Sequence, residues 1–174
     1  YKRQEIVSEQ ISVMGRSAGV YFSCLLAKRT DLPDAYILTG GVHMGIDAFM
    51  ELIYERVLAY AARGSQERAW IEEHANAFLG RARNWREVLA AARRGADVYE
   101  HQEGGAVVPE YLTRLKQELE YPLYDQFRHI KRPVLICHGD RDENVPVTEA
   151  EKVARALRDS GNQDVTLVIV PGAD

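Results

Sequence analysis

Residues 15–19 read Gly-Arg-Ser-Ala-Gly, and they stand between a short apolar run, Ile11 to Met14, and a segment of helical composition from Ser17 to Lys28. A chain that leaves an extended run and enters a helix at once must turn sharply, and the flanking glycines leave room for the crowded backbone. A serine at the apex of such a turn has its hydroxyl lifted above the sheet, beside the unbonded N–H groups that open the helix. The plainer reading of the same five residues is a glycine-rich turn with Ser17 as a helix cap. The rest of the chain decides between them.

Three more extended runs follow. Ala35 to Thr39 is bounded by Gly40-Gly41, Val134 to Cys137 comes after Pro133, and Val165 to Val170 ends at Pro171-Gly172. Thr148 with Glu151 reads as a capping box for a helix whose Ala150, Val153, Ala154 and Leu157 share one face. Between the second and third runs helical spacing takes over. It carries Ile46, Phe49, Met50, Ile53, Val57 and Leu58, then Trp70, Ile71, His74 and Phe78, and then Trp85, Val88 and Leu89. Tyr111, Leu112, Leu115 and Leu119 repeat the pattern after a loop at Gly104-Gly105, and Gly64, Gly80 and Gly95 punctuate these helices. The simplest architecture is α/β, a mostly parallel sheet with flanking helices. Residues 1–44 and 128–174 form its core and 45–127 an inserted helical cap. A parallel sheet collects functional loops at the C-terminal ends of its strands. Three such loops bear candidates here: Ser17, the Gly139 to Asp142 loop, and Asp174.

The formal net charge of the 174 residues is -4, and no concentrated Lys/Arg surface points to a nucleic-acid partner. No run of 18 apolar residues suggests a membrane-spanning helix, and neither zinc-ligand spacing nor a phosphate loop implies a metal or cofactor. Cys24 and Cys137 lie in apolar runs, where free thiols pack as small hydrophobes. That favours a reducing compartment, and with no signal-peptide pattern the expected location is cytoplasmic. Neither Tyr1 nor Asp174 reads as a natural terminus, and the visible strands alone would leave a sheet edge unpaired. The remainder of the domain is therefore expected in a longer or a second chain, and a homo-oligomer stays open.

Together with Gly15 to Gly19, the stretch His138-Gly139-Asp140-Arg141-Asp142-Glu143-Asn144-Val145-Pro146 resembles the α/β-hydrolase family, in particular the dienelactone-hydrolase, serine-aminopeptidase and prolyl-oligopeptidase-like esterases and peptidases. The resemblance covers the part from the nucleophile turn onward, so the N-terminal part of such a domain is absent from this sequence. It implies Ser17 as nucleophile, the Ala18 N–H as oxyanion donor and Asp142 as the acid that would orient a histidine, with Asp140 its main competitor. Arg16, His43 and Asp140 are candidates for substrate binding or loop support. In the family the histidine follows the turn after the last strand, here Pro171-Gly172-Ala173-Asp174, and none of the five histidines present fits that place.

The activity this implies is hydrolysis of a carboxylic ester, a lactone or a short-peptide amide through an acyl-enzyme. An acyltransferase or a C–C bond hydrolase would use the same machinery, and a hydrolase-like binding module would keep the fold without the chemistry. Tyr54, Trp70, Phe78, Trp85, Tyr99 and Tyr111 are expected either to wall an apolar substrate pocket or to form the core of the inserted segment.

Overall fold

The computed structural model describes residues 10–62, 76–103 and 105–173. Gly64, Trp70, Ile71, His74, Gly104 and Asp174 lie outside the described residues, as does the side chain of Phe78. In chain order the elements are β1 (Ser12–Arg16), α1 (Ala18–Arg29), β2 (Ala35–Thr39), α2 (Ile46–Ala62), α3 (Asn76–Arg93), β3 (Val98–Glu103), β4 (Ala106–Tyr111), α4 (Thr113–Glu120), α5 (Leu123–Gln126), β5 (Val134–Gly139), α6 (Val147–Asp159) and β6 (Val165–Val170). They divide into two compact units, Tyr1–His43 with Leu123–Asp174, and Met44–Pro122.

The first unit is built on a four-stranded sheet in the order β1-β2-β5-β6. All its pairings are parallel, with Arg16 opposite Thr39, Thr39 opposite Cys137 and Gly139 opposite Val170. Parallel pairing aligns the C-terminal ends of the strands, so the loops after β1, β2, β5 and β6 emerge along one edge. Among the described residues β1 and β6 are the two sheet edges. Strand β5 is central, and period-2 alternation buries Val134, Ile136 and His138 on one face.

The helix α6 covers that sheet with Ala150, Val153, Ala154 and Leu157, all buried, at the spacing that puts them on one face. These side chains share a core with Val20, Cys24, Tyr36, Leu38, Phe127 and Ile130. Each large apolar side chain buried this completely contributes about 1.5–3 kcal/mol of transfer free energy. Burial also pushes the Cys24 thiol up to about 12, so it packs as an inert hydrophobe. Both cysteines are free thiols.

The expected capping box is replaced by a different start. α6 begins at Val147, directly after Pro146, with no side-chain cap, and the Glu149 N–H donates to the Pro146 carbonyl at 2.8 Å. Pro146 holds φ at -56° and sends the chain into the helix one residue before Thr148, which therefore lies inside the first turn.

In the second unit α2, α3 and α4 enclose a core of Met50, Tyr54, Ala82, Trp85, Val88, Leu89 and Leu112. Tyr54 and Trp85 belong to this core, whereas Tyr111 is 75% exposed. The unit is not wholly helical. β3 and β4 form an antiparallel hairpin, with Val98 opposite Tyr111 and Glu103 opposite Ala106. Gly105 takes φ +84° before β4, a conformation that suits a hairpin connection. Tyr111 thus ends a strand and α4 is only Thr113–Glu120. Helix α3 also runs through Gly80 rather than stopping at it. The unit ends at Pro122 and not at 127, because Phe127 is fully buried in the core of the sheet. No helix among the described residues is long and apolar enough to cross a membrane.

His129 follows Phe127 in a 3-10 turn, and its Nε2 is buried with no hydrogen-bond partner among the described residues. Burial holds its pKa below the ordinary histidine value of 6.5, helped by Arg128, Lys28 and Lys131. The unfolded chain therefore binds the proton more readily than the folded one, and stability falls as pH drops from the unfolded value toward the lowered folded value. Thermal melts should show a loss of Tm on acidification below about pH 6.5 that is reduced in His129→Phe. Identical pH profiles for the two proteins would refute this assignment.

Candidate active site

The corner between β1 and α1 is the most constrained point of the backbone. Ser17 adopts φ 52° and ψ -121°, and among the described residues it is the one non-glycine with positive φ. Such a conformation costs on the order of 1–3 kcal/mol and persists only where its surroundings enforce it. Here the Ser17 N–H donates to the Thr39 carbonyl at 2.9 Å, and the Ser17 carbonyl accepts from the Val20 N–H at 3.0 Å. Both main-chain groups of the serine are thus fixed, one by β2 and one by α1.

Close packing adds a second constraint. A Cβ on Gly15 would lie 2.5 Å from Ser23 Oγ and 2.7 Å from the Gly19 carbonyl oxygen. A Cβ on Gly41 would meet the Val20 methyls at 3.0 and 3.1 Å. Strand β1, helix α1 and the end of β2 therefore converge at distances only glycine permits. Gly19 is different, because nothing lies within 4 Å of the position its Cβ would take. The crowding expected at both flanking glycines is confined to Gly15.

Ser17 is exposed and its hydroxyl makes no capping hydrogen bond, which sets the simple helix-cap reading aside. Ala18 opens α1, so its N–H has no carbonyl four residues back within the helix. The first turn of α1 carries no acidic residue, while Lys28 and Arg29 stand in its last turn. The positive end of the helix dipole is therefore left unneutralised beside Ser17, which favours an anion there. Arg16 precedes the serine with its side chain exposed.

The acidic loop follows β5. Asp142 Oδ1 accepts the Asn144 and Val145 N–H groups, both at 2.8 Å, while Oδ2 lies 3.7 Å from His138 Nε2. His138 is buried, and its Nε2 is 2.8 Å from the Val145 carbonyl. A carbonyl can only accept, so Nε2 carries the hydrogen. One carboxylate oxygen of Asp142 is thus spent on closing the loop and the other is free of backbone donors. Asp140 does a different job. Its Oδ1 accepts the Gly172 N–H at 2.7 Å, and the Arg141 N–H reaches the Ala173 carbonyl at 2.9 Å. Asp140 ties the turn after β6 to the acidic loop.

His43 follows β2. Its ring stacks on Phe127 with centroids 6.3 Å apart and planes at 4°, and its main-chain N–H donates to Glu149 Oε2 at 2.8 Å. Glu149 was not singled out in the sequence, although a charged residue four positions before Val153 falls on the apolar face of α6 and marks a buried carboxylate. The structure brings Ser17, Ala18, His43, Asp140 and Asp142 to loops of one sheet edge. Groups of His, Cys, Asp or Glu suited to a metal ion do not occur among the described residues.

Residues 92–174 match the model of the prolyl oligopeptidase family, a stretch that includes Asp142 but not Ser17. No curated protein matches the chain. An esterase of Pyrococcus furiosus superposes with a TM-score of 0.54 at 15% identity, covering 94% of this chain and 46% of its own. Est1E from Butyrivibrio proteoclasticus gives 0.51 at 18% identity, covering 98% and 55%. A puromycin-hydrolysing peptidase from Mycobacterium tuberculosis gives 0.50 at 16%, covering 92% and 18%. The chain spans about half the length of the two esterases and less of the peptidase.

Three expectations follow for the corner. Gly15→Ala should destabilise the protein by about 1–3 kcal/mol in urea unfolding, because its contacts include backbone. Gly19→Ala should be neutral or stabilising by up to about 1 kcal/mol, as for an unstrained helical glycine. Equal effects of the two would contradict the packing described. Ser17→Gly should raise the unfolding free energy by about 1 kcal/mol through relief of strain; a less stable Ser17→Gly protein would show the corner to be unstrained.

Proposed function

We propose that this chain carries the nucleophile and acid of a serine hydrolase acting on a carboxylic ester, a lactone or a short-peptide amide. It has the α/β-hydrolase fold and resembles the prolyl-oligopeptidase-like esterases and peptidases. The observation that carries the reading is the enforced positive φ of Ser17 at the strand-to-helix corner, since strain of this kind is kept where a side chain must be presented. Ser17 Oγ attacks the substrate carbonyl carbon as its proton passes to a histidine. The C–O or C–N bond breaks, the alcohol or amine leaves with that proton, and water then hydrolyses the acyl-enzyme to release the acid. The Ala18 N–H and the dipole of α1 stabilise the oxyanion. Asp142 Oδ2 orients the histidine that takes the serine proton and stabilises its cation.

That histidine is expected immediately after the turn that follows β6, beyond Asp174, as in the family the sequence resembles. Asp140 holds that turn in place through the Gly172 N–H. His138 is an unsuitable base, because it is buried with Nε2 engaged by the Val145 carbonyl. A second oxyanion donor and further strands beyond β1 belong, on this reading, to the rest of the domain. Arg16 and His43 are assigned to substrate or loop contacts. No cofactor enters the scheme.

The test is covalent labelling of the protein in its full natural length with a fluorophosphonate, in which the serine oxygen bonds phosphorus and fluoride leaves. Labelling is expected on Ser17 and should vanish in Ser17→Ala. Asp142→Asn should retain the fold and lower kcat on p-nitrophenyl esters by roughly 10³–10⁴-fold. Undiminished labelling of Ser17→Ala would exclude Ser17 as nucleophile.

A further inference from the structure

Glu149 is 1% exposed, yet it carries a carboxylate. A charge so buried is strongly unfavourable unless its oxygens are satisfied. Oε2 accepts the His43 N–H at 2.8 Å and Oε1 accepts from Lys152 Nζ at 2.6 Å. Lys152 keeps 56% of its side chain exposed, so the ion pair is solvated on the lysine side. Glu149 also stands in the first turn of α6, where the helix dipole favours negative charge. These partners account for the tolerance of the carboxylate, and they direct it to the backbone of a residue 106 positions away in sequence.

The location of His43 gives this bond its consequence. It lies on the loop that begins at Thr39, whose carbonyl holds the Ser17 N–H. The same loop contains Gly40, whose Cβ position is 3.9 Å from Ser17 N, and Gly41, packed against Val20. These contacts, the Thr39 carbonyl on the Ser17 N–H and Gly41 against Val20 of α1, border the serine turn on the β2 side. The segment supplying them leaves the sheet at Thr39, and beyond it the first main-chain anchor to a side chain is the His43 N–H on Glu149.

We propose that Glu149 is a positioning residue for the Ser17 nucleophile: its buried carboxylate clamps the His43 N–H and so fixes the loop against which the strained serine turn is built. This role rests on Ser17 being the nucleophile. It differs from a purely structural role, because it acts on the serine geometry and hence on kcat rather than on substrate affinity or on stability alone.

The experiment compares Glu149→Met, Glu149→Gln and Lys152→Ala in the full-length protein, reading kcat and KM on p-nitrophenyl butyrate and hydrogen exchange of the 40–43 amides. Glu149→Met removes the acceptor at similar length and should lower kcat about tenfold with KM within about twofold. The His43 amide should then exchange faster. Glu149→Gln keeps an acceptor and should stay within about twofold of wild type in kcat and in exchange. Lys152→Ala leaves the clamp and should behave likewise. Should Glu149→Met not fold, Glu149→Ala, which also lacks the acceptor, takes its place with the same expected split.

Unchanged kcat and unchanged His43 exchange in the acceptor-lacking variant overturn the role. So does a fall in Glu149→Gln or Lys152→Ala equal to that in Glu149→Met. Labelling that survives in Ser17→Ala removes the nucleophile reading itself. A labelled wild type with an unaltered Glu149→Met rate removes only the clamp.

Discussion

The hydrogen bond from the Ser17 N–H to the Thr39 carbonyl, 2.9 Å long, joins the two features on which this structure turns. One is the parallel pairing of β1 with β2, which sets Arg16 opposite Thr39 and so delivers the next residue to that carbonyl. The other is the abrupt start of α1, whose Val20 N–H takes the Ser17 carbonyl. A single strained residue is bound from both sides, and the cost of its conformation is offset by contacts the sheet would make in any case. Removing either side would let the corner relax to an ordinary turn.

Charge placement follows the same economy of position. Exposed pairs such as Arg86–Glu55 and Arg93–Asp47 contribute about 0–1 kcal/mol each and direct nothing. The carboxylates of the first unit are different because backbone N–H groups complete them: Asp142 closes its own loop, Asp140 holds the turn after β6, and Glu149 holds the segment after β2. Three acidic side chains thereby fix three loops on the edge where Ser17 stands. A lysine or arginine partner could not do this, since only an acceptor can gather main-chain N–H groups.

Much of this edge was legible in the sequence, because the signals are local. The run before Gly15 and the helical composition after Ser17 suffice to place a corner, and Ala35–Thr39 and Val165–Val170 coincide with the observed strands. The errors are instructive in the same terms. The Thr148–Glu151 pattern has the spacing of a capping box, but the preset φ of Pro146 starts the helix earlier. Tyr111 fits the helical pattern of Leu112, Leu115 and Leu119, yet it closes a strand, because that period begins just where the strand ends. Gly19 resembles Gly15 in the motif and differs from it only in what lies near its Cα.

By itself the sequence determined the strands of the parallel sheet, the serine turn and the acidic loop, since each depends on neighbouring residues and on the period of apolar side chains. Only the tertiary structure decided what those residues do to one another. That Asp140 reaches Gly172, that Glu149 reaches His43 and that Gly15 is crowded while Gly19 is open are facts of contacts between segments far apart in the chain. No periodicity encodes them. They arise when parallel strands align their ends and bring two carboxylates, exposed Asp140 and buried Glu149, within 3 Å of backbone donors.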